Sequence, residues 1–185
     1  MKSRIDKIFL VGDPGVGKTT ALMKAVNILK AKGLTVGGVV SREARSGRSR
    51  VGFKIIDLGT GVVGTLASID QPAGPRVGRY RVNLRDVAEV GAKAILRAIE
   101  SADVVVCDEV GPMELFSPDF RRAVKALLDS DKPVLGVVHK WYRDPMVSDL
   151  KSLPNVEVVE VTYENRDDLP GELAERILKI AGGDG

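Results

Sequence analysis

Short apolar runs alternate with longer amphipathic segments along this chain, a pattern typical of strands and helices that follow one another in an α/β domain. Apolar runs predict strands over residues 8–11, 34–41, 102–109, 133–138 and 156–161. The last of these alternates and is expected nearer the sheet edge. Together the runs predict a doubly wound, mainly parallel sheet with helices on both faces.

Helices are predicted where apolar residues recur every three or four positions. The first helix covers residues 20–32, and the second covers 86–100, where Val87, Val90, Gly91, Ala94, Ile95 and Ala98 form one face. Ser117 and Pro118 have the residue types of an N-cap and a first helical position. The helix that follows them should bury Phe120, Val124, Leu127 and Leu128, and a closing helix should bury Leu169, Leu173, Ile177 and Ile180.

The segment 42–85 interrupts this alternation and is predicted to be an inserted antiparallel β-hairpin beside the sheet. Its strands should cover 51–58 and 62–69, on either side of Gly59, Thr60 and Gly61, with a loop over 71–78. Nine basic and three acidic residues give the segment a net charge of +6, against +3 for the whole chain. This positive charge belongs to a solvated face, to phosphate stabilisation or to nucleic-acid binding. Aromatic residues are scarce in the segment, with Phe53 and Tyr80 as the candidates to stack on bases, which makes nucleic acid an unlikely but open partner.

A glycine-rich loop between the first strand and the first helix fits the pattern G-x-x-x-x-G-K-[ST], the P-loop. It consists of Gly12, Asp13, Pro14, Gly15, Val16, Gly17, Lys18 and Thr19. Glycines let backbone N–H groups close around phosphate oxygens at the positive end of the following helix. We expect Lys18 to reach the β- and γ-phosphates and Thr19 to ligate Mg²⁺.

Two carboxylates end the buried strand 102–109, and they give the phosphate loop a second set of chemical groups. Asp108 is placed like the acid that holds Mg²⁺ in P-loop enzymes, and Glu109 is placed to orient or deprotonate a water molecule. A strand ending in Asp-Glu is common by chance. Its occurrence together with the phosphate loop favours a catalytic pair, typical of ATPases that carry their own glutamate.

Composition agrees with a single domain over residues 1–185, since 44% hydrophobic residues are enough for a full core. No apolar run approaches the ~20 residues that span a bilayer, so we expect a cytoplasmic protein with no membrane partner. Cys107 is the single cysteine, which excludes an intrachain disulfide and predicts a small buried side chain. A monomer is expected.

Several stretches together resemble the THEP-type nucleoside-triphosphatases, a family of archaea and thermophilic bacteria with a cancer-related eukaryotic member. They are residues 12–20, 37–43, 51–53, 78–82, 162–166 and above all the Asp-Glu-x-Gly-x-Met-Glu-Leu-Phe signature at 108–116. The resemblance implies Mg²⁺-dependent hydrolysis of ATP, GTP, CTP, UTP and TTP to diphosphates and phosphate. Carried over by position, it adds Val104, Val105, Val106, Cys107, Asp108, Glu109, Val110 and Gly111 to the nucleotide site. Pro112 stands where the eukaryotic pattern has lysine, so a cation at that position is absent here or has moved.

Recognition of the base is predicted to be weak, because the chain lacks a matching Asn/Thr-Lys-x-Asp element for guanine. Asn165 and Arg166 either flank the base or serve as a cap and a surface charge. Trp141 and Tyr142 either pack at a loop or touch nucleotide. His139 follows a strand at its carboxyl end and is either a hydrogen-bonded rim residue or a sensor of the γ-phosphate.

Three functions remain open from the residues alone. The first is hydrolysis, with Lys18, the loop N–H groups and Mg²⁺ holding the transferring phosphoryl group while Glu109 positions water. In that case at least one of Arg42, Arg45, Arg48 and Arg50 should contribute to turnover. The second is a kinase whose arginine-rich insertion closes over an acceptor. The third is a nucleotide-gated module that binds RNA.

Overall fold

The structure is a computed structural model that describes residues 4–183. Its strands are β1 (Lys7–Val11), β2 (Val36–Ser46), β3 (Ser49–Asp57), β4 (Val63–Ser68), β5 (Arg76–Val77), β6 (Tyr80–Val82), β7 (Val104–Val110), β8 (Val134–Val138) and β9 (Val156–Glu160). Its helices are α1 (Lys18–Ala31), α2 (Leu84–Asp86), α3 (Lys93–Ser101), α4 (Pro118–Asp129), α5 (Pro145–Ser152) and α6 (Leu169–Gly182). A π-helical segment (Val87–Ala92) joins α2 to α3, and a 3₁₀ turn (Glu114–Phe116) precedes α4.

All nine strands form one sheet in the order β5-β6-β4-β3-β2-β7-β8-β1-β9. The strands β2, β7, β8, β1 and β9 are parallel to one another, whereas β3 to β6 are antiparallel to their neighbours. The predicted parallel strands are confirmed, with β9 at the edge. In space, β8 separates the loop-bearing strand β1 from the acidic strand β7.

The central parallel strands β1, β7 and β8 bury both of their faces, which explains their continuous apolar runs in the sequence. On β1, Ile8 and Leu10 pack on one face with the apolar residues of α1 and α6. Phe9, between them, packs on the other face with residues of α3, α4 and α5. Helices therefore cover both sides of the sheet, as the doubly wound pattern predicts.

The predicted helix 86–100 is confirmed, and it begins two residues earlier than the pattern indicated. Asn83 caps its start, because its side-chain oxygen accepts a hydrogen bond of 3.0 Å from the Asp86 N–H. The predicted apolar faces of the helices are largely buried; Val90, Leu128 and Ile180 are the members that stay partly exposed. No helix between residues 4 and 183 has the length and apolar character needed to cross a bilayer.

The predicted antiparallel hairpin is confirmed as β3 and β4, but the insertion is larger than predicted. The segment 42–85 adds β3, β4, β6 and β5 to the main sheet, and β2 itself continues to Ser46 as one arm of a hairpin with β3. The extension of β2 was not predicted because the charged run from Arg42 to Ser46 lacks an apolar face. We call residues 42–54, the end of β2 and the start of β3, the basic arm.

Pairing between β2 and β7 holds the basic arm in place. The paired residues run from Val36 beside Val104 to Val39 beside Cys107. Gly38 lies so close to β7 that a Cβ on it would stand 2.0 Å from the Val106 carbonyl oxygen, and its φ is +116°. Only glycine fits at this contact without displacing one strand.

We expect Gly38→Ala to destabilise the protein by several kcal/mol, because it adds a backbone clash to the ~1–3 kcal/mol cost of a strained φ. Gly171→Ala is the matched control, since a Cβ there meets nothing within 4 Å. The control should leave stability unchanged or raise it by up to ~1 kcal/mol, as alanine favours helix. Urea unfolding of both variants measures the difference, and equal midpoints would contradict the assigned strand contact.

Candidate active site

The glycine-rich loop connects β1 to α1 and carries the start of the helix to the carboxyl edge of the sheet. Gly17, immediately before α1, has a φ of +106°, which side-chain-bearing residues rarely adopt. The Val16 N–H donates a hydrogen bond of 3.2 Å to the Asp13 carbonyl oxygen, which closes the loop on itself. The first N–H groups of α1 have no partners within the helix, so they form a positive end beside this loop.

Lys18 and Thr19 occupy the first turn of α1 and point into two different parts of the site. The Lys18 Nζ donates hydrogen bonds to the carbonyl oxygens of Gly12, at 2.7 Å, and Asp13, at 3.1 Å. The Thr19 Oγ1 donates a hydrogen bond of 2.7 Å to the Asp108 Oδ2. The residues predicted to hold a metal ion, 89 positions apart in sequence, are therefore in direct contact.

Asp108 and Glu109 stand at the end of β7 in a poorly hydrated environment. Asp108 is 3% exposed. Burial raises its pKa to about 7, opposed by the hydrogen bond from Thr19, while the Glu109 charge raises it further and Lys18 lowers it. Burial also raises the pKa of Glu109, and the charge of Lys18 opposes that shift. Both carboxylates would gain from a cation placed between the loop and β7.

The predicted site residues that precede Asp108 lie inside the sheet. The side chains of Val104, Val105, Val106 and Cys107 are fully buried. Burial raises the pKa of the Cys107 thiol well above its ordinary value, in keeping with the predicted role as a small apolar residue. Their side chains lie in the core and carry Asp108 and Glu109 to the carboxyl edge of the sheet.

Glu114 is a buried carboxyl group to which the sequence pattern assigned no role. It is 3% exposed, and it accepts hydrogen bonds from its own N–H and from the Gly111 N–H. Its Oε2 has no hydrogen-bond partner among residues 4–183. Burial, followed by the charge of Glu109, raises the pKa of Glu114 well above its ordinary value. Burial of Glu114 thus disfavours its charged form.

The turn that Glu114 holds lies directly against Glu109. A Cβ on Gly111 would stand 2.7 Å from the Glu109 Oε1, so a larger residue there would displace that carboxylate. The Leu115 N–H donates a hydrogen bond of 3.1 Å to the Gly111 carbonyl oxygen and closes the same turn. The glycine and second glutamate of the signature thus shape the wall next to Glu109.

His139 follows β8 and is fixed by backbone groups. Its Nδ1 accepts hydrogen bonds from the N–H groups of Trp141, at 3.2 Å, and Tyr142, at 3.0 Å, which leaves the ring proton on Nε2. Burial and the charge of Lys18 lower its pKa. These contacts favour a neutral, hydrogen-bonded residue at the rim of the site.

The loop after His139 contributes a lysine that sequence reasoning missed. The Lys140 Nζ lies 3.3 Å from the Asp13 Oδ1 and 2.8 Å from the Glu160 Oε1, so it bridges the phosphate loop and the end of β9. Its ammonium also lies 5.1 Å from the Trp141 ring centroid. Trp141 is 73% exposed, whereas Tyr142 packs against the core.

Of the two residues predicted to flank a base, Arg166 touches the phosphate loop and Asn165 does not. Asn165 accepts a hydrogen bond from the Thr162 N–H at 2.8 Å and donates one of 2.8 Å to the Glu160 carbonyl oxygen. Its amide is used to close the turn after β9. The Arg166 Nη1 donates to the Val16 carbonyl oxygen at 3.3 Å, and its guanidinium stacks 4.9 Å from the Tyr163 ring centroid.

A glycine-rich loop at a helix start, its lysine and threonine, and an acid at the end of a nearby parallel strand define the class of P-loop nucleoside-triphosphatases. The family model described as "NTPase" matches residues 7–174. Nucleoside-triphosphatase THEP1 of Thermofilum pendens is 48% identical over 174 residues, covering 92% of this chain and 94% of that protein. The corresponding protein of Methanosarcina barkeri is 45% identical, with 94% and 98% covered.

Solved structures agree with these sequence relatives. The crystal structure of THEP1 from Aquifex aeolicus superposes with a TM-score of 0.83 at 32% identity, covering 92% of this chain and 98% of that one. The solution structure of a human cancer-related nucleoside triphosphatase gives a TM-score of 0.79 at 33% identity, covering 95% and 97%. The chain belongs to the THEP1 family of nucleoside-triphosphatases. The resemblance found in the sequence is confirmed.

We expect Glu114→Gln to change the pH dependence of stability. The pKa of Glu114 is raised in the folded protein relative to the unfolded chain. The folded protein therefore binds this proton more tightly, and wild type loses that stabilisation as pH rises towards the folded pKa. Glutamine cannot ionise, so the variant should gain stability relative to wild type with rising pH, by up to ~1.4 kcal/mol per pH unit. Urea unfolding without metal or nucleotide at pH 5 and pH 8 measures this, with the exposed Glu175→Gln as control. Parallel pH profiles for wild type and Glu114→Gln would show that the group is ionised in the fold.

Proposed function

We propose that this protein is a Mg²⁺-dependent nucleoside-triphosphate phosphohydrolase of broad base specificity, which converts ATP, GTP and other triphosphates to diphosphates and phosphate. The observation that carries the proposal is the 2.7 Å contact between the Thr19 Oγ1 and the Asp108 Oδ2, with Glu109 as the next residue. This contact supports the assignment of Thr19 and Asp108 as metal ligands and of Glu109 as the residue that activates water.

Mg²⁺ fits the groups at this contact. The hydroxyl of Thr19 and the carboxylate of Asp108 are oxygen donors, which Mg²⁺ prefers. Burial raises the pKa of Asp108 to about 7, and a divalent cation beside this carboxylate would favour its charged form. When bound, Mg²⁺ contributes positive charge that offsets the negative charge of the phosphates.

The protein's own groups account for the remaining steps. Lys18 and the N–H groups at the start of α1 bind the β- and γ-phosphates. Glu109 orients a water molecule whose oxygen attacks the γ-phosphorus as the bond to the β-γ bridging oxygen breaks. The proton leaves the water for Glu109 or for a phosphate oxygen, and the diphosphate departs with the bridging oxygen.

Weak base preference follows from the groups around the loop. Tyr163 is 66% exposed, and it forms with Arg166 a stacked pair next to Val16. Stacking accepts any base, because every base has a π-face. Asn165, which could read a base edge, already uses its amide in the turn after β9.

Phosphate release from ATP, GTP, CTP and UTP, each with and without Mg²⁺, tests the proposal. Addition of small-molecule acceptors or RNA to the same assay separates hydrolysis from its alternatives. A kinase would release little phosphate until an acceptor is present. An RNA module would bind RNA tightly with slow, incidental hydrolysis.

We expect Lys18→Ala to lower kcat/KM for ATP by at least ~10²-fold, the cost of losing one preorganised charge-stabilising donor. Lys18 is the cation of the loop, and its Nζ already lies within the loop against Gly12. Lys24→Ala, which removes an exposed lysine from the same helix, should leave the rate unchanged. Activity of Lys18→Ala within a few-fold of wild type would overturn the phosphate-loop assignment.

Substitutions of Asp108 and Glu109 should impair different steps of the reaction. Asp108→Asn should weaken the use of Mg²⁺, and excess metal should partly restore the rate. Glu109→Gln should keep nucleotide affinity and lose turnover, because the amide cannot accept the proton of water. Titrations of Mg²⁺ and nucleotide against both variants separate the two roles. Normal turnover by Glu109→Gln would mean that another residue positions the water.

A further inference from the structure

The basic arm carries more positive charge than its own acid can neutralise, and two of its four arginines are already engaged in ion pairs. Arg45 and Arg50 share one acid: the Arg45 Nη2 lies 2.7 Å from the Glu43 Oε2, and the Arg50 Nη1 lies 3.1 Å from the Glu43 Oε1. The Arg50 guanidinium also lies 5.0 Å from the Phe53 ring centroid and 5.6 Å from that of Tyr80. Arg45 and Arg50 therefore hold the arm together.

Arg42 and Lys54 differ from this cluster. They lie directly opposite each other on β2 and β3, so their side chains share one face of the sheet. Both side chains are exposed, and neither has a hydrogen-bond or ion-pair partner among the residues from Arg4 to Gly183. Two like charges side by side repel each other, so this face of the arm is suited to bind an anion.

The pleat of β2 shows which face this is. Side chains alternate along a strand, and Val36 and Val40 pack with the apolar residues of α1. Val39, on the opposite face, packs with the helices on the other side of the sheet. Arg42 is two residues after Val40, and therefore lies on the α1 face, which is also the face on which Asp108 meets Thr19.

The register of β2 against β7 gives the distance between Arg42 and Asp108 along the sheet. Val39 is level with Cys107, so Val40 is level with Asp108 on the neighbouring strand. Arg42 is then about 7 Å further along the strand direction and about 5 Å across from Asp108, on the open carboxyl edge. An extended arginine side chain spans this separation, and the phosphate loop lies on the same edge.

We infer that Arg42, with Lys54 beside it, contacts the γ-phosphate of the bound nucleoside triphosphate. This assignment rests on the proposed function and adds a residue to it. The guanidinium of Arg42 binds γ-phosphate oxygens, whose charge changes during transfer, and Lys54 raises the local positive potential. The charge of the basic arm is thus directed at the nucleotide on one face and used for internal support on the other.

The test compares Arg42→Gln with Arg48→Gln, a matched loss of one positive charge. Arg48 lies exposed at the tip of the arm. The hydrogen bond that it accepts from Arg45 involves its backbone carbonyl oxygen and would remain in the variant. Two quantities are measured for each variant: kcat for ATP, and the affinities for a non-hydrolysable ATP analogue and for ADP, all with Mg²⁺. Thermal unfolding checks that both variants fold.

Arg42→Gln should lower kcat at least ~10-fold and weaken the ATP analogue several-fold while leaving ADP affinity unchanged, since ADP lacks the γ-phosphate. Arg48→Gln should change none of these. Lys54→Gln should show a smaller effect in the same direction. Wild-type kcat and analogue affinity for Arg42→Gln would overturn the inference, as would equal losses for ADP and the analogue.

The inference and the proposed function can fail separately. If wild type hydrolyses ATP and Lys18→Ala does not, the hydrolase stands whatever Arg42→Gln does. If Arg42→Gln and Arg48→Gln keep the wild-type rate and both weaken binding to single-stranded RNA, the arm is a nucleic-acid surface and the γ-phosphate assignment is wrong.

Discussion

Burial of negative charge at the end of β7 is the constraint on which the rest of the site depends. Asp108 and Glu114 are almost fully buried, and Glu109 lies between them in sequence and close to both. Buried carboxylates must be protonated, hydrogen-bonded or paired with a cation. Burial raises the pKa of Glu114, the Asp108 carboxylate accepts a hydrogen bond from the Thr19 hydroxyl, and the charge of Lys18 opposes the rise in pKa of Asp108 and Glu109.

This concentration of buried acids supports the proposal that the substrate binds together with a metal cation. A triphosphate alone would add negative charge beside three carboxyl groups, whereas a metal complex of it brings its own compensation. The positive end of α1 and the loop lysine lie on the phosphate side. In the proposed mechanism the acids face the attacking water, so positive and negative groups lie on opposite sides of the reacting phosphate.

The elements of the parallel half could be predicted from sequence because each buries an apolar pattern. The strands β1, β7 and β8 and the helix from Leu84 to Ser101 follow directly from such runs. The length of β2 could not be predicted, because the residues from Arg42 to Ser46 are solvated on both faces and stabilised by cross-strand pairing with β3. Backbone pairing leaves no signal in a hydrophobicity pattern.

In the candidate site, too, some residues could be predicted from the sequence and others could not. Motif spacing located Lys18, Thr19, Asp108 and Glu109, and the structure brings the threonine and the aspartate into contact. The roles of Glu114 and Lys140 depend on tertiary proximity, since Glu114 supports a turn beside Glu109 and Lys140 bridges two loops far apart in sequence. A single sequence contains no periodicity that marks such contacts.

The close contact at Gly38 has a consequence for how the catalytic rate can vary in this architecture. It locks β2 against β7, and a slip of one residue would turn Arg42 away from α1 and bring Ser41 or Glu43 to face it. The register of β2 against β7 is therefore fixed. Exchange of the side chain at position 42 would change the charge that the arm presents at the inferred γ-phosphate position without altering the pairing of β2 with β7.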